Sequence, residues 1–160
     1  MRSLLVVLDS NIIISSLLHS SGSSSKIIEL WRKQYFQVLI SNYILSEVKD
    51  VLRDKQLVQK YHLSPSKQTR LLSQLYHSSQ LADPKNTYTS ISRDPKDNPI
   101  VGLALVRKAQ YLVTGDQDLL ALTKLKAIYP LKIISSPKFV QLFMNSDDEL
   151  LNYLDNREKK

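Results

Sequence analysis

The chain has 160 residues, enough for one domain with a real core and short for two. Hydrophobic residues make up 42%, which speaks against disorder, and a formal charge of +7 leans towards an anionic partner such as nucleic acid. There is no cysteine, so disulfides, thiolate zinc sites and cysteine nucleophiles are excluded, and any metal must be held by oxygen or imidazole.

The first element expected is a strand over residues 4–8, short, apolar and rich in β-branched side chains, as a strand buried on both faces should be. Arg2 ahead of this stretch could suggest a secretory leader, but Asp9 interrupts it early. With no other segment apolar enough to span a bilayer, the expectation is a soluble, cytoplasmic protein. Ser10 and Asn11 can cap a helix over residues 12–18. HSSGSSS, residues 19–25, reads as a loop whose last serines cap a second helix bearing Ile27, Ile28, Leu30 and Trp31 on one side. A second strand follows at residues 36–40. Ser41 and Asn42 then open a helix to about Arg53, with Ile44, Leu45, Val48, Val51 and Leu52 at helical spacing.

A helix-rich stretch comes next, with Pro65 at the first position of one helix. Residues 83–92 are ambiguous between a turn and a short strand at 87–91. Asn98-Pro99 opens a helix over residues 100–108. A strand at 111–114, a helical turn at 119–122, a strand at 131–134 and a helix from Ser135-Ser136-Pro137 to about Asn145 complete the pattern. Residues 1–145 read as one domain, and 146–160 as a charged tail or peripheral helix. Strands alternating with helices imply an α/β fold, a parallel sheet covered on both faces.

Ligands of such sheets bind outside the carboxyl ends of the strands. Asp9 ends the first strand, and Glu47 lies one turn into the helix after the second. Asp94 and Asp97 fall in RDPKDNP at a helix start, and Asp116 and Asp118 follow YLVT in TGDQD. All should reach one rim. Carboxylates brought together repel, and a cation resolves the conflict. Magnesium or manganese suits oxygen ligands, and such a site can activate water on a phosphodiester. Arg93 and Lys96 flank Asp97 and are the favoured phosphate contacts. Taken singly, Asp9 could be a helix cap, Glu47 a solvated residue, Asp97 a helix cap and Asp116 a turn residue that also binds metal, while for Asp94 the favoured reading is an Asx-type bond within the RDPKDNP turn. Tyr88, Tyr111 and Tyr129 could stack on bases, with half-buried packing the favoured alternative.

LLVVLDSNIIIS, ILSEVKDVL, RDPKDNPIVGLAL, YLVTGDQDLLAL and LKIISSPKFVQLF, in that order, resemble PIN-domain proteins over about residues 3–145. The likeness is to the VapC-like ribonuclease toxins of bacterial and archaeal toxin–antitoxin modules. It implies a three-layer α/β/α sandwich with a central parallel sheet and a Mg2+- or Mn2+-dependent endoribonuclease. The family's four acidic positions match Asp9, Glu47, Asp97 and Asp116, with Asp118 an auxiliary ligand and Asn11 and Thr114 as polar support. It further implies an RNA substrate, an antitoxin partner and a homodimer, to which the Ile27–Trp31 stripe could contribute if it is not core.

Two other readings keep the fold: a catalytically weak RNA-binding or assembly module, and a housekeeping RNA-processing nuclease without an antitoxin. The intact acidic set argues against the first. A phosphotransferase of the haloacid dehalogenase type wants a second Asp two residues after the first, where this chain has Asn11. Only three glycines and no Gly-rich phosphate turn leave a dinucleotide-binding domain without support.

Overall fold

A computed structural model describes residues 3–82 and 98–144. Five short strands form one parallel sheet: β1 (Leu5–Leu8), β2 (Gln37–Ile40), β3 (Ser79–Leu81), β4 (Tyr111–Val113) and β5 (Lys132–Ile134), in the order β3-β2-β1-β4-β5. β1 is central and almost wholly apolar. Val6, Val7 and Leu8 are buried, as are Val38, Leu39 and Ile40 of β2. Burying such side chains on both faces stabilises by roughly 1.5–3 kcal/mol each.

Helices cover both faces, giving the expected α/β/α sandwich. α1 (Ser10–Leu18) and α2 (Ser23–Arg32) join β1 to β2. α3 (Asn42–Arg53), α4 (Lys55–Lys60) and α5 (Pro65–Ser78) lead to β3. α6 (Asn98–Val106) packs on β1 and β4, α7 (Gln117–Ala121) and two 3-10 turns lead to β5, and α8 (Ser136–Met144) follows. Right-handed crossovers put the helices of the β1-to-β3 half on one face and α6 on the other. The strand order therefore reverses between β1 and β4, the point at which open α/β sheets bind ligands in a crevice at the carboxyl rim.

Several expectations hold in detail. Ser41 caps α3, its Oγ accepting from the Ile44 N–H at 3.2 Å, and Ser64 caps α5 ahead of Pro65. Others are corrected. α1 begins at Ser10, so Ser10 and Asn11 are its first turn and not its caps. α2 begins at Ser23, so the loop is shorter than residues 19–25 and its last serines are helical. α6 stops at Val106, because Lys108 takes a left-handed φ of 55°. Ile27, Ile28 and Trp31 are core, which removes that stripe as a contact between copies. Tyr129, expected to pack, is 84% exposed, while Tyr111 is half-buried against Phe139. The expected strand at 87–91, Tyr88 and the tail lie outside the described residues.

Candidate active site

The carboxyl ends of β1 and β4 lie side by side, with Val7 paired to Leu112 and Leu8 to Val113. The ladder runs one step further, since the Asp9 N–H donates to the Val113 carbonyl at 3.0 Å. That bond fixes Asp9 beside Thr114, the first residue after β4. The Thr114 hydroxyl is fully buried and donates to Asp9 Oδ2 at 2.7 Å. The same hydroxyl oxygen accepts from the Asp116 N–H at 3.1 Å, so one threonine ties the two loops together.

Asp9 stands at the N-cap position of α1, yet its side chain makes no capping bond. Its carboxyl lies above the ordinary carboxylate value, chiefly because burial penalises the charged form. The Thr114 hydrogen bond opposes this. The negative charge of Glu47 raises the value further, and the Ser10 hydroxyl, 3.4 Å from Oδ1, lowers it. The Asn11 N–H adds the smallest stabilisation, without reaching capping geometry. The sequence marks Ser10 only as a cap. Its adjacency to Asp9 is the one local signal of its contact with the acid.

Glu47 is half-buried on α3, the helix that follows β2, and α1 packs against that helix. Its charge acts on Asp9, which brings together two of the expected acids. Among the described residues the ion pairs are Lys33–Glu29 and Arg53–Asp50, so neither Asp9 nor Glu47 has a cationic partner there. Asp116 behaves differently. Its Oδ1 accepts from the Asp118 N–H at 2.8 Å and the Leu119 N–H at 3.3 Å, capping α7. Asp118 and Asn11 are exposed on the first turns of α7 and α1. Asp94, Asp97, Arg93 and Lys96 lie outside the described residues.

No group of three or more His, Asp or Glu able to hold a metal ion occurs among the described residues. The donor set still suits a hard cation. Magnesium keeps several waters and binds through one or two carboxylates, and Asp9 is partly desolvated beside the charge of Glu47, with no cation paired to either among the described residues. A divalent ion would relieve both the repulsion and the desolvation of Asp9.

Comparison with known proteins agrees with the fold. A family model described as the PIN domain matches residues 5–118, a span that contains Asp9, Glu47, Asp97, Asp116 and Asp118. An uncharacterized protein of Methanocaldococcus jannaschii is 29% identical over 147 residues, covering 86% of this chain and 90% of the relative. Among solved structures, a chain of VapBC2 from Rickettsia felis, crystallised with a DNA fragment from their promoter, superposes with a TM-score of 0.56. That match covers 82% of this chain and 98% of the other at 18% identity, a likeness of fold. Among the described residues no helix is long and apolar enough to cross a membrane.

Proposed function

The chain belongs to the PIN domain family, and on that premise we propose that it is a Mg2+- or Mn2+-dependent endoribonuclease, the toxin of a toxin–antitoxin pair. One observation carries the reading. Asp9 is half-buried at the reversal point of the sheet, faces the charge of Glu47, and has a hydroxyl donor but no cation paired to it among the described residues. A carboxylate kept there against its own desolvation suits a functional site better than a structural one.

In this reading Asp9 and Glu47 hold the ion, with Asp97 and Asp116 completing the set and Asp118 in support. A bound ion would lower the pKa of a water nucleophile and would neutralise charge on the scissile phosphate. Thr114 orients Asp9 through Oδ2, while the Ser10 hydroxyl stands 3.4 Å from Oδ1. The α7 cap holds the Asp116 backbone rigid, so its second oxygen has a fixed place. Arg93 and Lys96, beside Asp97 in sequence, take the phosphate. The likeness in fold to a VapBC2 chain supports an antitoxin partner. A homodimer belongs to the same reading, with its contact elsewhere than the buried face of α2. The site is that of a soluble enzyme acting on cytoplasmic RNA.

Incubating structured RNA with the protein and manganese tests this. Cleavage confined to single-stranded or loop regions, abolished by chelator and by Asp9→Asn, is the expected result. Equal cleavage with and without chelator defeats the reading.

A further inference from the structure

Away from the acids, the end of α1, the length of α2 and the first turns of α5 enclose an open cleft of about 720 Å³. Its charged lining is Lys26, Arg32, Lys33, Lys67 and Arg70 against one carboxylate, Glu29. Glu29 is already bonded to Lys33 at 3.0 Å. Arg32, Lys67 and Arg70 thus have no ion-pair partner among the described residues.

The cleft is built, and not merely a scatter of surface charge. Arg32 Nη2 donates to Gln74 Oε1 at 3.1 Å, and the Gln74 amide donates to the Ile28 carbonyl at 3.3 Å. Gln74 is buried. A guanidinium is therefore held in place by a neutral buried amide, which orients it without neutralising it. Arg32 is exposed, and its guanidinium is pulled below its ordinary value first by partial desolvation and then by the neighbouring Arg70 charge. Lys67 and Arg70 also lie in the first turns of a 14-residue helix, with no acid in the first turn, where the positive end of the helix dipole opposes cations. An anion in the cleft would relieve all of these repulsions.

The position fits a substrate strand. The Ser23 hydroxyl, at the start of α2, is 2.8 Å from that of Ser136, at the start of α8. Ser136 lies two residues beyond β5, so the start of α2 stands on the same carboxyl rim as Asp9. Ser16 and Leu17, in the last turn of α1, line the near end of the cleft, so that end lies within the length of α1 from Asp9. Nine residues at 1.5 Å per residue span about 13 Å, short beside the footprint of a protein that tracks a single strand.

We propose that the cleft between α2 and α5 docks the phosphate backbone of single-stranded RNA, on the flank of the strand entering the Asp9 site, with Arg32 and Arg70 clamping one phosphate and Lys67 reaching the next. The assignment rests on the nuclease reading for the identity of the polyanion. An acidic peptide is the competing occupant. Contact with the backbone alone makes the docking tolerant of sequence.

The test measures fluorescence anisotropy of a 20-nucleotide single-stranded RNA with the full chain in chelator, where no cleavage intervenes. Arg70→Ala and the double variant Lys67→Ala/Arg70→Ala alter exposed side chains, and thermal melts verify that each is folded. Lys126→Ala, on another surface, controls for charge alone. The double variant should bind roughly tenfold more weakly, and its log affinity against log salt should be shallower by about 0.7 for each lost contact. Lys126→Ala should match wild type. Unchanged affinity and slope in the double variant overturn the proposal. So does Arg70-dependent binding of poly-glutamate without Arg70-dependent binding of RNA. Wild type that binds RNA through Arg70 but leaves it intact with manganese defeats the nuclease reading and keeps the cleft. Manganese-dependent cleavage with RNA affinity indifferent to both variants does the reverse.

Discussion

Asp9 and Asp116 occupy the same local position on the two sides of the crevice. Each follows a parallel strand by a short step, each stands at the N-cap of a helix, and their backbones are alike, at φ −61°, ψ 145° and φ −74°, ψ 121°. Asp116 uses its carboxylate to cap α7, as an aspartate there ordinarily does. Asp9 leaves α1 uncapped and bonds instead to Thr114, across the boundary between the strands. Backbone geometry allows both outcomes. The tertiary neighbour decides, because Asp9 meets a buried hydroxyl and the charge of Glu47. One aspartate bonds locally to its own helix, and the other bonds across the sheet to a residue far away in the chain.

The sharpest way to break this contrast is to remove the charge of Asp9. Asp9→Asn keeps the shape and still accepts from Thr114. Manganese-dependent RNA cleavage should fall by about 10²-fold or more, while the melting point in chelator stays at or above that of wild type. A clear loss of stability in the asparagine variant would make Asp9 structural and erase the difference from Asp116.

Thr114→Val strikes the link between the two sides. It removes the donor to Asp9 and strands the Asp116 N–H, at an expected loss of about 1–3 kcal/mol in urea unfolding. The Asp9 carboxyl, deprived of its main stabilising hydrogen bond, should titrate higher still by carbon-detected NMR. Unaltered titration would show that Thr114 does not govern Asp9.

Asp116→Ala should lose roughly 1 kcal/mol as its cap disappears, and Asp116→Asn much less, since asparagine caps nearly as well. Equal losses in the two variants would mean that charge, not capping, is what Asp116 supplies to stability.

The smallest effect concerns pH. The folded-state value of Asp9 is raised, so the stabilisation it carries is full below the ordinary carboxylate value and is lost as pH rises through the folded value. The stability gain of Asp9→Asn over wild type in chelator should therefore be near zero at about pH 3 and grow towards about pH 7. A gain that shrinks across that range would reverse the sign assigned to burial.

Much of the fold and part of the site are legible in the amino-acid sequence. The run from Leu4 to Leu8 ending in Asp9 announces a doubly buried strand, and the caps Ser41 and Ser64 mark their helices within a residue. The convergence of Asp9 with Glu47 is legible because a parallel sheet places every strand's carboxyl end on one rim. Other features leave no local trace. β3 is three residues, Ser-Gln-Leu, with two of them exposed on a sheet edge, so neither alternation nor β-branched content marks it. α4 is a six-residue polar helix whose signal is the Asp54 cap to Gln56 and Leu57. The cationic cleft draws Arg32 and Arg70 from helices 38 positions apart in the chain, a proximity that scattered Lys and Arg do not reveal. That Thr114 bonds Asp9 depends on the β1–β4 pairing, a contact between residues far apart in sequence.

If the acids at the β1–β4 reversal form a cation site, melting in the presence and absence of manganese reveals it most directly. Wild type should gain roughly 2.7 kcal/mol when manganese is raised from zero to a hundredfold over its dissociation constant. Asp9→Asn at the same concentration should gain far less. Equal gains in the two proteins, or none in wild type, would contradict the account.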